Sequence, residues 1–194
     1  MRSCRLAVVG VLGVLFVAPA ARPCSRVLWN ENGRSVLVGR NMDWFEDMKS
    51  NIYALQRGMK REGLAPKNPL TWTSKYGSVV VTGYESVSTD GVNEKGLACH
   101  LLYLPETKTG PRDEKVPGLT ISLWTQFYLD NFATVAEAVK ALASQPYQLL
   151  MAVEPTSKKA GTVHIALDDP TGDSAILECV DGKIVVYHDR KHSS

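Results

Sequence analysis

The sequence predicts an α+β domain built on an antiparallel sheet. Three observations carry this. Short apolar strand candidates crowd the stretch from Ser25 to Leu104, two helical patterns follow between residues 119 and 144, and three strand candidates joined by tight turns come after them. Strands, then helices, then strands is the order of an α+β fold rather than of alternating βαβ units.

Each element has a local reason. Ser25 to Trp29 alternates and runs into Asn30-Glu31-Asn32-Gly33, a hairpin-type turn, with Ser35 to Gly39 as the returning strand. Residues 57–72 hold Gly58, Gly63, Pro66 and Pro69 and read as a long loop. Tyr76 to Tyr84 is β-branched and reads as a strand, Thr89-Asp90-Gly91 as a turn, and Gly96 to Leu104 as a buried strand. Residues 105–118, with three prolines and two glycines, form a second loop. Leu119 to Asn131 looks helical, with Ile121, Trp124, Tyr128 and Leu129 near one face. Thr134 with Glu137 is a capping box opening a second helix that reaches about Ser144. Thr162 to Leu167, Ser174 to Val180 and Lys183 to His188 form a meander, turned at Pro170-Thr171-Gly172 and Asp181-Gly182.

Composition narrows the function classes. Of 194 residues, 44% are hydrophobic and 22% charged, which excludes a disordered, collagen-like or disulfide-dense chain. The formal charge of +2 rests on Arg2, Arg5 and Arg22, because residues 24–194 carry 19 basic against 20 acidic residues. No basic surface is left to neutralise phosphates, so no nucleic-acid partner is expected. Residues 1–23 have an Arg2/Arg5 start, an apolar run of 13 from Leu6 to Ala18, and small residues at Ala18-Pro19-Ala20. That run is too short to cross ~30 Å of hydrocarbon and reads as a cleaved export signal. The expectation is a secreted or periplasmic protein with no membrane segment after cleavage. Three cysteines remain after it, Cys24, Cys99 and Cys179, so at least one thiol is unpaired within the chain. No C-x-x-C or Cys/His ligand spacing is present, so no zinc site is expected.

Cys24 stands at the junction between signal and domain. If the mature chain begins there, one residue carries both a thiol and an α-amine. The amine, with an ordinary pKa of ~7.7–8.0, is part neutral at physiological pH and serves as the base. Otherwise Cys24 is an ordinary strand cysteine. Gly39-Arg40-Asn41-Met42-Asp43-Trp44 ends the strand paired with the one after Cys24. From there Arg40 and Asp43 bring charge toward the thiol, where a guanidinium favours thiolate. The bland reading is an ordinary surface ion pair.

These segments, with Asp90-Gly-Val-Asn-Glu-Lys-Gly-Leu97, Leu102-Tyr-Leu-Pro105, Lys75-Tyr76-Gly77-Ser78 and the closing Gly-to-Lys183 strands, resemble the choloylglycine hydrolase and penicillin V acylase family. These are N-terminal-nucleophile hydrolases of linear amide C–N bonds, and the resemblance spans 24–188. It implies an αββα sandwich, two helix layers around two antiparallel sheets. It implies Cys24 as nucleophile and, through its amine, base; Arg40 as the holder of thiolate or amine; and Asp43 as the group orienting the amine. Tyr103 would give a backbone N–H to the oxyanion hole. Met42, Trp44 and Tyr103 would line an apolar acyl pocket. The implied partner is a small N-acyl amide: a phenoxyacetyl penicillin, a conjugated bile salt or an N-acyl homoserine lactone. The resemblance implies no metal or organic cofactor, and, family members being commonly tetramers, a homo-oligomer for a full-length chain.

The resemblance also marks a departure. The family continues past the last strand with a Thr-Asn-x-Pro segment whose Asn supplies the other oxyanion donor, and here no Asn follows Asn131. A chain shortened on its C-terminal side is therefore expected, exposing apolar sheet edges and faces. Loss of one such donor costs ~10²–10³ in rate. The alternative is a non-catalytic exported remnant or binding protein of the same fold, which thiol reactivity at Cys24 distinguishes. A papain-type Cys/His pair is disfavoured, because Cys99 and His100 are neighbours on a strand and point to opposite faces.

Overall fold

The computed structural model describes residues 24–188 apart from residues 45, 145, 154–157 and 159. The export segment and the tail 189–194 lie outside the described residues. Strands β1 (Ser25–Trp29) and β2 (Leu37–Asn41) form an antiparallel hairpin of their own. The central element is a seven-stranded antiparallel sheet. It takes in β3 (Asn51–Leu55), β6 (Ser78–Gly83), β7 (Val87–Asn93), β8 (Ala98–Tyr103), β11 (Val163–Asp168), β12 (Ser174–Val180) and β13 (Lys183–His188). Their spatial order is β13-β12-β11-β8-β7-β6-β3. Two small pairs complete the strands: β4 (Lys60–Glu62) with β5 (Thr71–Thr73), and β9 (Gly118–Thr120) parallel to β10 (Gln148–Leu150). A 3₁₀ turn, Ile121–Leu123, leads into α1 (Trp124–Asn131), and α2 (Val135–Leu142) follows.

The sheet is buried differently on its two faces. Cys99, Leu101, Ile165, Leu167 and Leu177 join Trp124, Tyr128, Leu129, Val135 and Ala138 in one apolar cluster under the helices. The opposite face carries Asp90, His100 and Asp168 beneath the β1–β2 hairpin. The hairpin alternates accordingly. Arg26, Leu28, Val38 and Arg40 turn inward, while Val27, Trp29 and Leu37 are exposed. Asn30 ties its tip to the sheet by donating to the Gly172 carbonyl at 2.9 Å.

The layers run helices, sheet, hairpin, so the α+β expectation holds. Among the described residues, the far sheet of the αββα plan is represented by two strands and no helix covers it. Ile52, Val79 and Val92 stand exposed on the same side of the large sheet, the apolar exposure the sequence led us to expect.

Several elements differ from expectation. Thr89-Asp90-Gly91 is not a turn but the middle of β7, paired with β6 on one side and β8 on the other. Turn propensity loses here to two ladders of hydrogen bonds and to packing. Gly91 lies under the helix layer, where a Cβ would sit 2.6 Å from Leu129 Cδ1 and 2.8 Å from Val80 Cγ1. Gly91→Ala is therefore expected to cost about 1–3 kcal/mol by overpacking, read as a lower urea midpoint at unchanged slope.

The loop expected over 57–72 contains the β4 and β5 strands, and β2 lies two residues later than the Ser35–Gly39 expectation. The helix expected from Leu119 begins at Trp124, because Leu119 and Thr120 are taken by the β9–β10 pair. The second helix ends at Leu142, short of Ser144. Its Thr134 cap forms as expected: Glu137 N–H donates to Thr134 Oγ1 at 3.2 Å, and the Glu137 carboxylate accepts from Ala133 N–H at 2.8 Å. Strand β3 was not anticipated. It is a largely exposed edge strand, and such strands lack the buried alternation that marks them in sequence.

Candidate active site

Cys24 immediately precedes β1 and is half-buried. The hairpin register pairs Ser25 with Asn41, which leaves Cys24 and Met42 as the next facing positions. Asn41 secures this end of the hairpin. Its Oδ1 accepts from Ser25 N–H at 2.7 Å, and its Nδ2 donates to Asp43 Oδ2 at 3.2 Å. Asp43 is thereby held one short link from the residue that follows Cys24.

Cys24, Met42, Trp44, Val87, Tyr103 and Ile121 all line one cavity of about 150 Å³. The Trp44 and Tyr103 rings meet edge-on at 6.1 Å between centroids. Trp44 is held from behind, its Nε1–H donating to the Tyr84 hydroxyl at 2.8 Å, and Tyr84 O–H donating in turn to Glu46. The cavity wall is therefore apolar but anchored at its rim by polar contacts, the pattern of a small-molecule site.

Arg40 projects inward from β2, with its side chain only 12% exposed. Its Nη1 pairs with Asp90 Oδ2 at 2.9 Å, and its Nη2 donates to the Leu101 carbonyl, two residues before Tyr103 on β8. An exposed surface pair is thus ruled out for Arg40. The structure gathers four of the six expected site residues, Cys24, Met42, Trp44 and Tyr103, at one cavity. It places Arg40 on Asp90 and Asp43 on Asn41.

Residues 24–193 match the linear amide C–N hydrolases of the choloylglycine hydrolase family. The chain belongs to that family. It is 41% identical over 179 residues to a penicillin V acylase of Pectobacterium atrosepticum, covering 87% of this chain and 47% of the relative. It is 29% identical over 159 residues to a bile salt hydrolase/transferase of Clostridium perfringens, covering 78% and 46%. Among solved structures, the penicillin V acylase from Agrobacterium tumefaciens superposes with a TM-score of 0.80 at 44% identity, over 88% of this chain and 51% of that one. A single-residue variant of the C. perfringens conjugated bile acid hydrolase superposes at a TM-score of 0.71 and 24% identity, over 86% of this chain and 51% of that one, a likeness of fold. The chain spans about half the length of the relatives it matches. No helix among the described residues is long and apolar enough to cross a membrane.

Beneath the hairpin of this choloylglycine hydrolase family member lies a row of buried charges that sequence reasoning missed. Arg26 donates through Nε and Nη2 to Asp168 at 3.0 and 2.5 Å, and through Nη2 to Ser174 Oγ at 2.6 Å. His100 Nε2 approaches Asp168 Oδ2 at 3.5 Å, and His100 Nδ1 bonds Asp90 Oδ1. Asp90 then pairs with Arg40. Burial works against a charge on His100, but the Asp168 and Asp90 carboxylates outweigh it and raise its pKa above the ordinary 6.5. Burial likewise opposes charge on Asp168, and His100 and Arg26 overcome it, holding Asp168 below the usual carboxylate range. The other two thiols are unlike Cys24 in setting: burial pushes Cys99 far up and Cys179 up. The available signal was the inward face of β1 and β8, where Arg26 and His100 interrupt otherwise apolar positions. It required knowing which strands pair.

Proposed function

We propose that this chain carries the nucleophile and the acyl pocket of an exported N-terminal-cysteine amidase that hydrolyses linear amide C–N bonds of N-acyl compounds. The observation that supports it best is the convergence of Cys24, Met42, Trp44 and Tyr103 on one apolar cavity. Once processing exposes Cys24, its α-amine takes the thiol proton. The thiolate attacks the amide carbonyl, a C–S bond forms, and the C–N bond breaks as the ammonium returns its proton to the departing amine. Water, activated by the same amine, then hydrolyses the thioester. Arg40 favours the thiolate, Asp43 orients the amine, and the Tyr103 N–H donates to the developing oxyanion.

The lining favours an apolar acyl group. A mainly apolar wall carrying the Trp44 and Tyr103 rings suits an aryl-acetyl group such as phenoxyacetyl. Identity to the penicillin V acylases, 41% and 44%, exceeds that to the bile salt hydrolase, 29%, which supports this reading.

The test is an intact-mass experiment on the secreted protein mixed with phenoxyacetyl penicillin. A species beginning at Cys24 that transiently gains the mass of the phenoxyacetyl group, and releases the free amine, is the expected result. A processed, folded protein that gains no acyl mass from any of the three substrate classes rejects the reading in favour of a non-catalytic remnant or binding protein.

A further inference from the structure

The charges under the hairpin alternate in sign along one line: Arg26, Asp168, His100, Asp90, Arg40. They come from five strands, β1, β11, β8, β7 and β2, and the line ends beside the cavity. His100 is its centre, 6% exposed, with both ring nitrogens facing carboxylate oxygens. A neutral imidazole has one N–H and would turn its remaining lone pair toward a carboxylate. Nε2 makes no hydrogen bond among the described residues and lies 3.5 Å from Asp168 Oδ2, a charge contact that favours the imidazolium over the neutral ring.

We propose that His100 is a positioning residue whose imidazolium ties Asp168 to Asp90 and so fixes the Arg40 guanidinium next to the Leu101 to Tyr103 wall of the site. The proposal rests on the reading of Arg40 as the group that favours the Cys24 thiolate. All the neighbours of His100 enter the balance. β7 contributes Asp90 and β11 contributes Asp168; the hairpin contributes Arg26 and Arg40. His164, one inward position along β11, faces Glu178 on β12, with Nδ1 at 3.7 Å from Oε1. The helices lie on the opposite face with Cys99, away from the row.

When His100 loses its proton, the two carboxylates face each other without a cation between them, and Asp90 draws Arg40 more strongly to itself. On the reading of Arg40 as the group that favours the thiolate, Cys24 becomes less nucleophilic as His100 is deprotonated.

The rate of iodoacetamide alkylation at Cys24, followed by peptide mass from pH 5 to 9, tests this without requiring amide turnover. The buried Cys99 and Cys179 serve as internal controls. Wild-type protein is expected to show an inflection where His100 titrates, beside that of the thiol. His100→Gln should lose this inflection and slow alkylation at pH 6 by roughly two- to thirtyfold. Asp168→Asn should move the inflection to lower pH, since the carboxylate facing Nε2 is gone. Superimposable profiles for folded wild type and His100→Gln overturn the proposal. So does a ¹H–¹⁵N spectrum of the wild type showing His100 neutral at pH 6, a measurement that decides the matter even if both variants fail to fold. Row-dependent alkylation without amide hydrolysis would reject the proposed function and leave this inference standing; hydrolysis with an unmoved profile would do the reverse.

Discussion

Cys24→Ala is expected to lower amide hydrolysis by the processed protein by roughly 10³-fold or more, the scale seen when a nucleophile is removed from a hydrolytic unit, with little change in unfolding midpoint. The separation follows from position. Cys24 is half-buried at the chain's entry to β1 and lines the cavity, but it is not part of the apolar cluster under the helices. Losing its sulfur removes the attacking atom without opening a core void. Turnover of phenoxyacetyl penicillin and urea unfolding, measured on the same preparation, check both halves. Comparable turnover in wild type and variant would show that Cys24 is not the nucleophile. Cys24→Ser adds a further reading. If Cys24 itself removes Ala21-Arg22-Pro23, the serine variant retains that extension, and clean removal excludes self-processing.

Asp168→Ala is expected to destabilise the fold by about 3–5 kcal/mol, the cost of leaving a buried charge without its partner. The Arg26 side chain is fully buried and Asp168 is 2% exposed, so the guanidinium has no bulk solvent to turn to. His100 loses its Nε2-side partner in the same change. Arg26→Met combined with Asp168→Leu should cost much less than Asp168→Ala alone, because it removes both charges and fills the space. Urea titrations of the three proteins decide this.

The pH dependence has a definite sign on each side. His100 has its pKa raised on folding, so its contribution is complete below the ordinary 6.5 and is lost as pH rises through the folded value. Asp168 has its pKa lowered, so its contribution is present above the ordinary 3.8 and is lost as pH falls through the folded value. Stability from the row therefore peaks in the mildly acidic range, and Asp168→Asn should flatten both limbs.

The residues legible in sequence were those whose meaning is local. Cys24 after an apolar leader, the Arg40 to Trp44 segment sixteen residues on, the Thr134 cap and the Asp181-Gly182 turn each follow from neighbours within a few positions. So did the opposite facing of Cys99 and His100, which a period of two fixes. Strand β3 and the strand setting of Asp90-Gly91 were not legible, because edge exposure hides the one and sheet pairing overrides turn propensity in the other.

By itself, then, the order of residues determined the fold class, the presence of a hairpin just after Cys24 and the apolar character of Met42, Trp44 and Tyr103. Only the tertiary structure decided that these form one cavity and that Arg26, Asp168, His100, Asp90 and Arg40 align beneath the hairpin. The reason is sequence distance: Arg26 and Asp168 lie 142 residues apart. Pairing of β7, β8 and β11 within the sheet, with the hairpin laid across them, sets that row, and no local pattern encodes such a stack of contacts.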